Sequence, residues 1–205
     1  MLNYENGLLT VDEEADKIKI SNGEWYFFCN LNGKTDLPLP FGDGTYTVQT
    51  FRRISGNTYR PLKNRRVVAK GTSAYLLKPN LYVPYTPAWD YARELVGAQM
   101  GLDAYKTVKN WVKRHIIYDY IKAVKVSKKG DLPDPLGCFM NKRGICQDIA
   151  SLATGMLRAV GVRSRLVIGY ADHAYHAWTE ATVDGQLYRF DPCGKADTYV
   201  RERWY

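Results

Sequence analysis

Asp184-Gly185 stands between two strand-like runs, "HAWTEATV" and "QLYRFDP". An Asp-Gly pair in that position is the strongest short-range signal for a two-residue β-hairpin, because both central residues must take positive φ. Once the turn is placed, the register has no freedom, since a slip of one residue would send every side chain to the opposite face. Val183 must then face Gln186, and Glu180 must face Arg189 as an opposite-charge pair of the kind that stabilises hairpins. Trp178 falls opposite Asp191. His176 comes to lie on the same sheet face as Asp191, one diagonal step away. The turn alone therefore predicts a carboxylate brought up to an imidazole.

The hairpin follows a helix. In "GICQDIASLATGMLRAVG", residues 144–161, Ile149, Leu152, Ala153, Met156 and Val160 recur at spacings of three and four, a stripe that faces a core. Gly161 is placed to end that helix, and "RSRLVIGY" reads as a strand. Further upstream, Thr86 is a candidate N-cap with Pro87 at the first helical position. Trp89, Ala92, Val96 and Met100 then continue a helical stripe. Asp103 is expected to cap a second helix carrying Val108, Trp111, Val112 and His115 near one face. Residues 121–144, with "KKGDLPDPLG", read as one long loop.

Before about residue 85 the character is different. "DKIKI", "EWYFFCNL", "TYTVQTFRRI" and "RRVVAKG" are short, rich in β-branched and aromatic residues, and divided by the turn signals "NGK", "GDG" and "SGN". The expected organisation is α+β: a small β-rich N-terminal unit over 1–85, sandwich-like if its strands form two sheets, then a core over 86–205 in which a helix packs on an antiparallel sheet.

Bulk composition narrows the function classes. The 205 residues are 45% apolar and 24% charged, ordinary for a well-cored globular chain. No stretch approaches the roughly 18 apolar residues of a membrane span. "MLNYENGLLTVDEEADK" lacks the basic start and apolar centre of a signal peptide, so a cytoplasmic chain and a trimmed exported one both fit. The net charge of +8 comes from small scattered clusters, among them Arg52-Arg53, Arg65-Arg66, Lys128-Lys129 and Lys142-Arg143. They follow no nucleic-acid reading motif, and no nucleic-acid partner is expected. The four cysteines, at 29, 138, 146 and 193, form no CxxC pair and no zinc-ligand spacing, and are too few for a disulfide-built scaffold.

One cysteine is placed for chemistry. Cys146 sits in the first turn of its helix, where unpaired N–H groups and the positive end of the macrodipole favour an anion. The same N–H groups can face an oxyanion developing beside the sulfur. Of the three histidines, His115 reads as a packing residue and His173 as a loop residue. His176 remains as a base, with Asp191 to orient it. Cys146, His176 and Asp191 thus form a candidate nucleophile, base and orienter. A metal site built on His173 and His176, with Asp172 and Cys193 nearby, is disfavoured because strand positions three apart face opposite sides. A non-catalytic binding module is a further alternative, with the N-terminal unit holding a partner and the 121–144 loop blocking the cleft.

"GICQDIASLATGMLRAVGVRSRLVIGY" followed by "YHAWTEATVDGQLYRFDP" resembles the core of the transglutaminase-like superfamily over roughly residues 105–193. The matching elements are G-x-C at a helix start, Leu-Arg-x-x-Gly at its end, a strand ending in Gly-Tyr, then His-Ala-Trp and Asp-Pro. The resemblance implies a papain-like α+β core with Cys146, His176 and Asp191 as catalytic triad. "HIIYDY" resembles the aromatic-Asp element of the family and implies Tyr118 as a second oxyanion donor. Trp178 becomes a candidate for positioning substrate. The N-terminal unit resembles accessory segments of bacterial members. The implied activity is acyl transfer at a protein or peptide amide, with a hydrolytic peptidase or amidase favoured over a glutamine cross-linking transglutaminase. No cofactor or metal is implied, since no calcium loop is present. The family often has Thr where Cys193 and Cys138 stand. These two either form a Cys138–Cys193 disulfide, which would favour a secreted or cell-surface protein, or are unpaired core thiols.

Overall fold

The protein, represented by a computed structural model, is described over residues 2–5, 7–11, 14–31, 33–71, 77–126, 131–194 and 196–205. It divides into two compact units. One comprises Met1–Tyr75 with Lys128–Leu132, the other Leu76–Ser127 with Pro133–Tyr205.

The first unit is built of antiparallel strands in two sheets. Strands β1 (Asn3–Glu5), β2 (Leu8–Val11) and β5 (Thr35–Pro38) form a three-stranded sheet in the order β1-β2-β5. β3 (Lys17–Ser21), β4 (Tyr26–Asn30), β6 (Gly44–Ser55) and β7 (Thr58–Ala69) form a second, ordered β4-β3-β6-β7. Alternation decides what is buried: Leu9 and Val11 in the first sheet, and Ile18, Ile20, Tyr46 and Val48 in the second, lose almost all exposure. Pro61 is tolerated because β7 is an edge strand and the register shifts there, between Thr50 and Phe51 of β6.

The second unit carries the helices. α1 (Pro87–Val96) starts with Pro87 in its first turn after Thr86, as the sequence predicts. It stops earlier than the stripe suggests. Gly97 takes φ 58°, and Met100 is 82% exposed rather than buried. α2 (Gly101–His115) begins with Met100 at its N-cap, so Asp103 lies in the first turn instead of capping it. The stretch read as one loop holds two short helices, α3 (Tyr120–Lys125) and α4 (Pro135–Asn141), capped by the Asp119 and Asp134 side chains. Residues 127–130, including the Lys128-Lys129 cluster, lie outside the described residues.

α5 (Cys146–Ala159) is the central helix, buried along almost its whole length against α1, α2, α4 and the sheet. That sheet is antiparallel, ordered β12-β11-β10-β13, from β10 (Arg163–Ala171), β11 (Ala174–Val183), β12 (Gln186–Phe190) and β13 (Tyr199–Trp204). The register expected from Asp184-Gly185 is the one observed: Val183 pairs with Gln186 and Glu180 with Arg189. Both turn residues have positive φ, 48° and 77°. β13 has no counterpart in the sequence reading. It bulges against β10 between Ile168 and Gly169. Arg158, near the end of α5, donates to the main-chain oxygens of Lys78, Ser164 and Tyr205, tying the helix to three segments at once.

Candidate active site

Cys146 is the first residue of α5, and its position is held from below. The buried Asp148 carboxylate accepts the Ile145 N–H at 3.0 Å, the Asp134 N–H at 2.8 Å and the Lys122 ammonium at 2.6 Å. The first turn of the helix is therefore pinned to α3 and to the start of α4. Gly144 allows this closeness, because a Cβ there would lie 2.9 Å from both the Asp148 Cβ and the Cys138 sulfur.

A two-residue parallel bridge brings up the next group. β8 (Ile117–Tyr118) pairs with β9 (Arg143–Gly144), Tyr118 opposite Gly144. Tyr118 thereby lines the same cleft as Cys146. Burial and the nearby Cys146 sulfur push its pKa up to about 12, so the phenol keeps its proton and can donate it to an anion.

The hairpin supplies the remaining pair. His176 Nε2 donates to Asp191 Oδ1 at 2.8 Å, which leaves Nδ1 for the Cys146 sulfur, the other hydrogen-bonding partner of the ring. Burial alone would lower the imidazole pKa. The bonds to Asp191 and Cys146 outweigh it and raise the value to about 9. Asp191 would likewise be raised by burial, but hydrogen bonds from His176 and the Cys193 N–H hold it below the ordinary carboxylate range. Its second oxygen accepts the Tyr199 hydroxyl at 2.9 Å. Tyr199 and the Cys193 N–H are supports that sequence reading missed. "TYVRERW" carries the strand alternation that would have revealed β13, though not its register.

The cleft of about 560 Å³ that these side chains share is bordered otherwise by Tyr120, Tyr175 and small residues such as Ala171 and Gly194. None of the described residues of 121–144 lines it. Trp178 does not reach the cleft and cannot touch substrate. It is fully buried, donates to Glu180 at 3.1 Å and packs edge-on against Tyr199 at 5.1 Å. Its effect on the site runs through Tyr199. The Cys138–Cys193 disulfide is not formed, and none of the four cysteines is in a disulfide. Cys138 is buried beneath Gly144 and Asp148, whereas Cys193 borders the cleft beside Asp191. His173 is exposed and takes no part. Asp172 is committed to the N–H groups of Asp197 and Thr198.

The model of the transglutaminase-like superfamily core matches residues 90–192, and the chain belongs to that superfamily, whose members are typically cysteine-dependent enzymes. Among solved structures, the chain is similar to a Cytophaga hutchinsonii protein named provisionally as a cysteine protease. Identity is 15% and the TM-score 0.57, over 100% of this chain and 73% of that one. That likeness concerns the fold. A structure described as a TGase aligns with TM-score 0.45 and 16% identity over 75% of this chain and 46% of that one. The periplasmic domain of TgpA from Pseudomonas aeruginosa aligns with TM-score 0.45 and 14% identity, over 89% and 88%. No curated protein matches the chain.

Proposed function

We propose that this protein is a cysteine-dependent acyl-transfer enzyme, in the first instance a peptidase or amidase, working through a thioester on Cys146. The observation that carries the reading is a single imidazole bonded to the Asp191 carboxylate at 2.8 Å in the cleft that Cys146 lines from the head of α5. A pKa near 9 keeps that ring protonated at neutral pH, the state in which it pairs with a thiolate and holds a proton ready for a leaving group.

The Cys146 thiolate attacks the amide carbon, and the carbonyl oxygen becomes an anion met by the Cys146 N–H and the Tyr118 hydroxyl. His176 gives its Nδ1 proton to the departing amine as the carbon–nitrogen bond breaks, leaving a thioester and a neutral ring. That ring then takes a proton from an incoming water as its oxygen bonds to the acyl carbon. Collapse of the second tetrahedral species expels the thiolate and restores the ion pair. Asp191 keeps the ring in one tautomer throughout. Beside its three tyrosines the cleft is bordered by Ala171, Ala174, Gly194 and Ala196, which leave room for water at the thioester and support hydrolysis as the first reading.

Iodoacetamide labelling at neutral pH tests the nucleophile. Cys193 borders the same cleft and is the more exposed of the two, so faster labelling of Cys146 reports reactivity rather than access. Cys146 is expected to label first, and at least about tenfold more slowly in His176→Ala. A Cys146 no faster than Cys193 would sink the enzyme reading. Adding a primary amine to a peptide-amide assay then separates the two acceptors. Hydrolysis predicts free acid as the main product, whereas an amine adduct in excess would make the protein a transglutaminase.

A further inference from the structure

The acyl-transfer scheme leaves one donor in the cleft unused. Cys193 occupies the turn after Asp191-Pro192, and its own N–H is bonded to Asp191 Oδ1 at 2.8 Å. Its thiol faces into the same cleft as Cys146. The ligand atoms of His176, Asp191 and Cys193 all lie within 4.8 Å of one another, the one such cluster of three found among the described residues.

An imidazole, a thiol and a carboxylate are the donor types that suit zinc. Ligands bound to a tetrahedral zinc at about 2.0–2.3 Å stand roughly 3.3–3.8 Å apart. The cluster therefore needs to close by only about 1 Å, within the reach of a rotation of the Cys193 side chain. Cys146 stands outside this cluster, on the other side of the His176 ring from Asp191, so water takes the fourth place. Without Cys193 the site keeps only His176 and Asp191, too few to hold the ion tightly. With it, the protein supplies one sulfur, one nitrogen and one oxygen, the three-ligand set of an open zinc site. We propose that this cleft is a reversible inhibitory zinc site, in which Cys193, His176 and Asp191 hold the ion and water completes its coordination.

Occupation would engage the base and its orienting carboxylate in the cleft that Cys146 lines, so zinc and substrate exclude each other. Binding itself is independent of the catalytic reading. Only the claim that it silences an activity rests on that reading.

The test uses the full chain, reduced with a phosphine and titrated with zinc chloride against a chromophoric chelator. One equivalent is expected to bind. Cys193→Thr and the nearly isosteric Cys193→Ser should each weaken binding by at least about tenfold, while Cys29→Ser should leave it unchanged. Cobalt substitution gives a second readout: the near-ultraviolet thiolate-to-cobalt absorption should be lost when Cys193 is replaced. A wild-type chain that binds no zinc overturns the proposal. So do Cys193 variants within tenfold of wild type, or a cobalt spectrum indifferent to Cys193. If Cys146 fails the alkylation test while zinc binding still depends on Cys193, the acyl-transfer reading falls and the zinc site stands. Rapid alkylation of Cys146 without zinc binding overturns the zinc site and leaves acyl transfer standing.

Discussion

His176 holds its proton more tightly in the folded chain than an ordinary histidine does, with a pKa of about 9 against roughly 6.5 in an unfolded one. Folding stability gained from that proton is complete below pH ~6.5 and is lost as pH rises through about 9. Thermal melts between these limits should show the loss, amounting to a few kcal/mol at most, and Asp191→Asn should flatten it. In peptide assays the same substitution is expected to lower kcat by about 10²–10⁴-fold, because the ring loses its tautomer and its counter-ion. Tyr118→Phe removes one donor from the developing oxyanion and little else. A fall in kcat of about 10²-fold with KM nearly unchanged is expected, and an unchanged kcat would remove Tyr118 from the oxyanion site. Cys146, His176 and Asp191 are legible as a group because a helix start and an Asp-Gly turn are local signals. Tyr199 is not, because its place depends on β13 pairing with β10, a contact between distant segments, whereas the Cys193 N–H bond is a local turn contact two residues from Asp191. Trp178 misleads for a related reason. Strand alternation sets the face of a side chain, but not whether Tyr199 will cover it.

β10 and β13 meet where one has no side chain. A Cβ at Gly169 would lie 2.0 Å from the Val200 carbonyl oxygen and 2.9 Å from the Glu202 nitrogen, at the bulge between Ile168 and Gly169. Backbone cannot swing aside as a flexible side chain can, so Gly169→Ala should force the two strands apart. A loss of more than about 2 kcal/mol in urea unfolding is expected, and Gly161→Ala, in open space, should cost less. Gly169 is paired with His176 on its other side. The variant should therefore also slow Cys146 alkylation, linking sheet geometry to the nucleophile. Periodicity reveals α1, α2 and α5 because each presents a buried stripe, and it overruns at Met100 because Gly97 ends α1 in the left-handed region. α3 and α4 escape it altogether. Six or seven residues are too few to show a 3.6-residue period, and both are held by Asp caps rather than by a long apolar face.

Across the whole molecule, 29 Lys and Arg against 21 Asp and Glu leave a net charge of +8. A field of that sign speeds the approach of acidic peptides and is screened within about 10 Å at 0.1 M salt. For peptides with acidic flanks, kcat/KM should fall as salt rises while kcat holds, and neutral peptides should show neither change. No helix among the described residues is long and apolar enough to cross a membrane. In the N-terminal unit, β3, β4, β6 and β7 are legible from β-branched and aromatic runs, whereas β1, β2 and β5, three or four residues each, are not. The short bridge between β8 and β9 reaches further than its size suggests. Because Tyr118 pairs with Gly144, the chain that leaves the cleft after Tyr118 returns to the same spot before Cys146. The excursion between them is anchored at Lys122 and Asp134, which hold the Asp148 carboxylate beneath Cys146, so change is tolerated only between those two anchors. Descendants of such a gene could lengthen, shorten or exchange the stretch between the anchors to court new substrates, inheriting the reacting groups intact.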